Sequence, residues 1–166
     1  MEYVDRPSRK KRTVCFDIKL TWLNIARMYN FEAEHYGLSV SAAFLLLHID
    51  DEGTQVTQLA PLLGMEASSM TRLLNNIETN GWIERRRDNS SDRRAVKIYL
   101  TESGKIARSV SKEKVKHFNQ LVAEKVGESS LQQFFQVIDQ INDLIRNNNI
   151  FDTNEQLQLT AKSTNL

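Results

Sequence analysis

The chain has 166 residues, with 22 Lys and Arg against 21 Asp and Glu and a net charge of +1. That length suits one domain with a real core, and any nucleic-acid binding must come from a local patch rather than a basic body. One cysteine excludes an internal disulfide framework and fits a reducing, cytoplasmic setting, and no apolar run is long enough to cross a membrane.

Residues 1–13 are basic, with Arg6, Arg9, Lys10, Lys11 and Arg12 facing only Glu2 and Asp5. They lack the apolar core of a signal peptide and read as a flexible solvated terminus, with an auxiliary phosphate contact as the functional alternative. Val14 to about Tyr36 is one long amphipathic helical pattern, with Ile18, Trp22, Ile25 and Tyr29 along one face. Ser41 is the expected cap of a helix over residues 42–49, apolar nearly all round and therefore buried.

The next two patterns are short and close together. Thr57 to about Leu63 reads as a helix capped by Thr57. Pro61 fits it only if it lies in the first turn, where a missing N–H costs nothing. Gly64 permits a tight turn. A second helix follows, with Met70, Leu73, Leu74 and Ile77 at the i, i+3, i+4, i+7 spacing of a single buried stripe. Its opposite side carries Ser68, Arg72, Asn75 and Thr79, flanked by Thr71 and Asn76, with no carboxylate among them. Hydroxyls, amides and a guanidinium are the groups that reach phosphates and base edges in a groove. An ordinary surface helix would carry mixed charge there. Asn80-Gly81 closes the helix, since glycine takes the left-handed conformation of a helix C-terminus.

Residues 82–85 and 95–100 then read as two strands, the second with Val96, Ile98 and Leu100 on one face. The turn between them is RRDNSSDRR. From 82 to 100 six basic residues (Arg85, Arg86, Arg87, Arg93, Arg94, Lys97) outnumber three acidic ones (Glu84, Asp88, Asp92). Helix, turn, helix and basic hairpin is the order in which a small domain places one helix in the major groove and a wing beside it. The fold class is thus mainly α with a small β-wing, a winged helix-turn-helix. Thr101 opens a helix to about Val126, with Glu102 near its positive end. Gly127 breaks it, and Leu131 to Arg146 is a further helix bearing Phe134, Phe135, Ile138, Ile141 and Ile145. Residues 149–166 are polar and irregular, a loose tail.

Other chemistry has little support. His35, His48 and His117 are scattered without metal-ligand spacing. The chain has no glycine-rich phosphate loop, nucleophile elbow or paired acids. No metal, cofactor or catalytic residue is therefore expected, and the chain reads as a non-enzyme.

The stretch SSMTRLLNNIETNGWIERRRDNSSDRRAVKIYLTESG resembles the multiple-antibiotic-resistance regulator (MarR) family of winged helix-turn-helix regulators. It matches through Thr71-Arg72-Leu73, Gly81-Trp82-Ile83, Arg85, Asp92-Arg93-Arg94 and Leu100-Thr101-Glu102-Ser103-Gly104. The resemblance covers residues 38 to 146, with Pro61 and a wing about one residue longer than usual as departures.

It implies a domain over 14–148, with the winged helix-turn-helix at about 40–104 and long N- and C-terminal dimerisation helices at 14–36 and 105–148. It also implies a homodimeric transcriptional regulator, a repressor, on a pseudo-palindromic double-stranded DNA operator, released by a small-molecule effector. Ser68, Ser69, Thr71, Arg72 and Asn75 would enter the major groove, and Arg85, Asp92, Arg93 and Arg94 would complete the DNA-binding set at the wing. Asp92 would hold Arg94 or pair with Arg85. The effector cavity would be lined by Trp22, Ile25, Phe44 and His48. Cys15 lies where one branch of the family senses hydroperoxides, although Asp17-Ile18-Lys19 departs from that branch, so Cys15 is a candidate redox residue. A dimeric interaction protein without DNA binding is the rival reading, motivated by the near-neutral charge.

Overall fold

The computed structural model describes residues 12–87 and 96–147. The expectations for the N-terminal segment to residue 11, for Asp92, Arg93 and Arg94, and for the tail lie outside these residues. The chain divides into two compact units, residues 1–116 and 117–166.

In the first unit α1 spans Val14–Glu34 and is capped by Thr13, whose hydroxyl accepts from the Phe16 amide. α2 spans Val40–Leu47, and its cap is Ser39 rather than Ser41. Ser39 Oγ accepts from the Ala42 amide at 3.2 Å. The earlier start is made possible by α1, because Asn30 Oδ1 accepts from the Val40 amide at 3.0 Å. One of the orphan donors of the first turn is thus satisfied from outside the helix.

A strand of two residues, β1 (Thr54–Gln55), precedes the next helix and is too short to show a period-two signal. It pairs with β3 (Val96–Leu100), which also pairs with β2 (Ile83–Arg87), giving the antiparallel order β1-β3-β2. Thr54 stands opposite Ile98, and Ile83 opposite Leu100. The close approach of the loop before β1 needs Gly53 at φ +82, since a Cβ there would lie 2.5 Å from the Tyr99 ring.

β1 runs straight into α3 (Val56–Leu62), so Gln55 occupies the cap position and no side chain caps the helix. Thr57 is therefore inside α3, not at its cap. Pro61 falls in the second turn, where its missing N–H leaves the Thr57 carbonyl without its helical partner. Gly64, at φ +59, turns the chain into α4 (Ala67–Thr79).

α4 buries Met70, Leu74 and Ile77, and Leu73 packs partly against the same cluster. Leu45, Leu46, Ile49, Leu59, Ile83 and Ile98 complete the centre, each at most 2% exposed. Each such side chain contributes about 1.5–3 kcal/mol by burial. The core thus clamps the inner face of α4 and leaves the outer face in solvent.

α5 (Glu102–Val126) crosses from the first unit into the second, and Gly127 at φ +82 ends it. α6 spans Glu128–Asn147, beginning three residues before the expected Leu131. Phe134, Phe135, Val137, Leu144 and Ile145 are all exposed on α6. Among the described residues no helix is long and apolar enough to cross a membrane.

Candidate nucleic-acid interface

α4 presents Ser68, Ser69, Thr71, Arg72 and Asn75 to solvent together. They share one side because the opposite side is committed to the core. Thr71 Oγ1 donates to the Ala67 carbonyl at 2.9 Å. Its proton is held within the helix, which leaves the exposed hydroxyl oxygen to act as an acceptor.

β2 lies beside α4 and supplies the missing detail. Arg85 Nη2 donates to Asn75 Oδ1 at 2.7 Å, and Arg85 Nη1 lies 3.1 Å from Glu78 Oε2. The guanidinium therefore bridges two helix residues one turn apart. Glu78 was not singled out by the sequence pattern. Its only signal was the i, i+3 spacing from Asn75, and nothing local reveals that a strand residue meets both. Arg86 pairs with Glu84 and stacks over the Tyr99 ring at 4.7 Å from its centroid.

The junction behind the wing explains Leu100-Thr101-Glu102-Ser103-Gly104. Thr101 Oγ1 donates to the Gly81 carbonyl at 2.6 Å and accepts from the Gly104 amide at 3.0 Å. The Thr101 amide donates to the Trp82 carbonyl at 3.1 Å. One residue thus caps α5 and fastens it to the turn that ends α4. Arg108 adds a second fastening, donating to the Ile49 carbonyl at 2.9 Å and to Asp51 at 2.7 Å.

Of the residues expected at an effector site, Trp22 and Phe44 come together edge to face, with centroids 5.8 Å apart. They line a cleft of about 280 Å³ with Val40, Ser41, Leu62, Leu63 and Met65. Ile25 and His48 do not line it; His48 is exposed at the end of α2, its ring Nδ1 2.7 Å from the Phe44 carbonyl oxygen. A second apolar cavity lies among α1, α2 and α5, lined by Tyr29, Tyr36, Leu38, Leu47 and Val110, with Glu32 and Lys114 also lining it. Burial pushes the Tyr29 phenol upward. Cys15 is exposed in the first turn of α1. Among the described residues no cluster of His, Cys, Asp and Glu could hold a metal ion.

Lys114 Nζ donates to Glu32 Oε2 at 2.7 Å. That hydrogen bond first, and the Lys114 charge second, hold the Glu32 carboxyl below its ordinary range. The same two causes raise Lys114. The stabilisation from Glu32 is present above the unfolded carboxyl value and is lost as pH falls through the lowered folded value. The contribution from Lys114 is present below its unfolded value and is lost as pH rises through the raised one. Glu32→Gln is therefore expected to lower the thermal midpoint modestly near neutral pH, since the pair is half-exposed. The gap from wild type should close in acid, as followed by circular dichroism across pH.

Comparison with known proteins agrees with this geometry. Residues 36–95 match the family model described as "MarR family". The chain is 28% identical over 102 residues to the HTH-type transcriptional regulator TtmR of Methylorubrum extorquens, covering 61% of this chain and 52% of TtmR, about half its length. It is 28% identical over 109 residues to the HTH-type transcriptional regulator SarZ of Staphylococcus epidermidis, covering 65% of this chain and 72% of SarZ. Its fold is similar to that of S. aureus MepR in a MepR–DNA complex, with a TM-score of 0.74 at 17% identity, over 81% of this chain and 99% of MepR. Over residues 36–95 the chain is thus similar to the MarR family, and its fold is that of a winged helix-turn-helix.

Proposed function

We propose that the protein is a sequence-specific DNA-binding transcriptional regulator that works as a homodimer. The observation that carries this reading is the outer face of α4. Five polar or cationic residues stand exposed on it (Ser68, Ser69, Thr71, Arg72 and Asn75), and the core fixes the helix behind them. α4 enters the major groove, and Arg93 and Arg94 at the wing reach the adjoining backbone or minor groove, with Asp92 holding Arg94. The domain spans 14–148, and the helices at 14–36 and 105–148 carry the dimer. Exposed apolar side chains on α1 and α6, such as Trp22, Phe31, Phe134 and Ile145, support that use.

The protein represses by occupying a pseudo-palindromic operator whose half-sites lie about one turn, 34 Å, apart. A small apolar effector binds in the cleft beside Trp22 and Phe44. It releases the operator by favouring a dimer whose recognition helices no longer fit successive grooves.

Gel shift of the full chain against genomic fragments tests the reading. A retained fragment is expected, displaced by the same unlabelled fragment more readily than by unrelated DNA, and weakened steeply by salt. Binding of no fragment at low salt overturns it. Light scattering is expected to give a dimer at micromolar concentration, and a monomer would remove the two-fold arrangement.

A further inference from the structure

The contact between Arg85 and Asn75 fixes which chemistry Asn75 can offer. A guanidinium has only donors, so the Asn75 atom it meets at 2.7 Å is the carbonyl oxygen. The Asn75 amino group is then the end left to face outward from α4, where the residue is exposed. Glu78, 3.1 Å from the other Arg85 nitrogen, braces the guanidinium from the same side of the helix. Arg85 is held at two points one helical turn apart, so Asn75 does not turn its amide over without losing a charge-assisted bond.

Asparagine reads adenine by accepting from N6 while donating to N7. An Asn75 whose oxygen is turned toward Arg85 keeps a second lone pair but no longer aims that oxygen outward beside its amino group, as the two-point adenine contact requires. Its amino group has two hydrogens, and guanine offers two adjacent major-groove acceptors, N7 and O6. Adenine sets its own amino donor against the same group.

We infer that Asn75 selects guanine as a hydrogen-bond donor, and that Arg85 and Glu78 are positioning residues that set this preference. The inference rests on the DNA-binding reading above and names the base that one side chain of that face recognises.

Duplexes selected from a randomised library by wild type, by Asn75→Ala and by Arg85→Met, followed by titration of single-base variants, test it. One position in each half-site should favour guanine over adenine by about tenfold in wild type. Asn75→Ala should erase that preference. Arg85→Met frees the amide to turn and should move the preference to adenine at the same position, which a loss of folding alone would not do. A wild-type measurement stands beside the variants: 7-deazaguanine at that position removes N7 and should weaken binding about fivefold.

Any other base favoured there by wild type overturns the inference while DNA binding stands. So does an Asn75→Ala protein that keeps every preference, or an Arg85→Met protein weakened equally on all sequences. If Arg85→Met does not fold, the analogue decides, and unchanged binding overturns the inference. Failure of wild type to retain any duplex overturns the DNA-binding reading itself.

Discussion

Gly104→Ala is expected to destabilise the protein by about 2–4 kcal/mol and lower its thermal midpoint by about 5–15 °C. The sign is opposite to the usual one. Gly104 lies in the first turn of α5, and glycine inside a helix normally costs about 0.5–1 kcal/mol relative to alanine. Here a Cβ would overlap the Trp82 carbonyl oxygen, lying 2.9 Å from its carbonyl carbon and 3.3 Å from Leu100 Cδ2. The obstacle is backbone, so no side-chain rotation relieves it. That carbonyl also accepts from the Thr101 amide, and Thr101 Oγ1 is bound to Gly81. Moving α5 outward breaks these bonds together. Lys105→Ala, next along the helix, removes only an exposed i, i+3 pair with Glu102 and should stay within about 0.5 kcal/mol of wild type. Thermal unfolding of the two variants in parallel checks the argument, and a raised or unchanged midpoint for Gly104→Ala would defeat it.

Arg72→Ala is expected to cost about 1–3 kcal/mol of binding free energy per half-site. Arg72 is exposed on α4 between Ser68 and Asn75, and is the one cation on that face of the helix. A bidentate contact with guanine relaxes selectivity at one base position when it is removed. A dimer holding two half-sites would lose about twice the single value. Arg72→Lys keeps the charge but not the planar fork, so it should recover salt-dependent affinity without recovering selectivity. Titration of matched and single-base-changed duplexes separates the outcomes. Equal loss on every sequence would place Arg72 on a phosphate instead.

Local periodicity and turn chemistry determined a good part of this protein. Met70, Leu74 and Ile77 were readable as the buried stripe of α4 because helical spacing puts them on one side wherever the core lies. Gly64, Gly81 and Gly127 were readable as stops, and all three have positive φ. The alternation of Ile98 and Leu100 announced β3, because a strand that covers a core must alternate.

What the tertiary structure alone decided involves partners far apart in the chain. β1 is two residues long, and only pairing with Ile98 and Lys97 makes it a strand. The start of α2 moved to Val40 because Asn30, ten residues earlier, supplies an acceptor. The start of α3 moved with β1, which carried Pro61 into the second turn. Leu-Thr-x-x-Gly was legible as a family resemblance, but the reason for its glycine is a carbonyl 22 residues away. Arg85 was legible as a basic residue of a hairpin; that it grips Asn75 and Glu78 follows from β2 lying alongside α4. Periodicity records which side of an element faces inward. It holds no information about which other element arrives there, and the hydrogen-bond partners that set the chemistry of the outer face are chosen by that arrival.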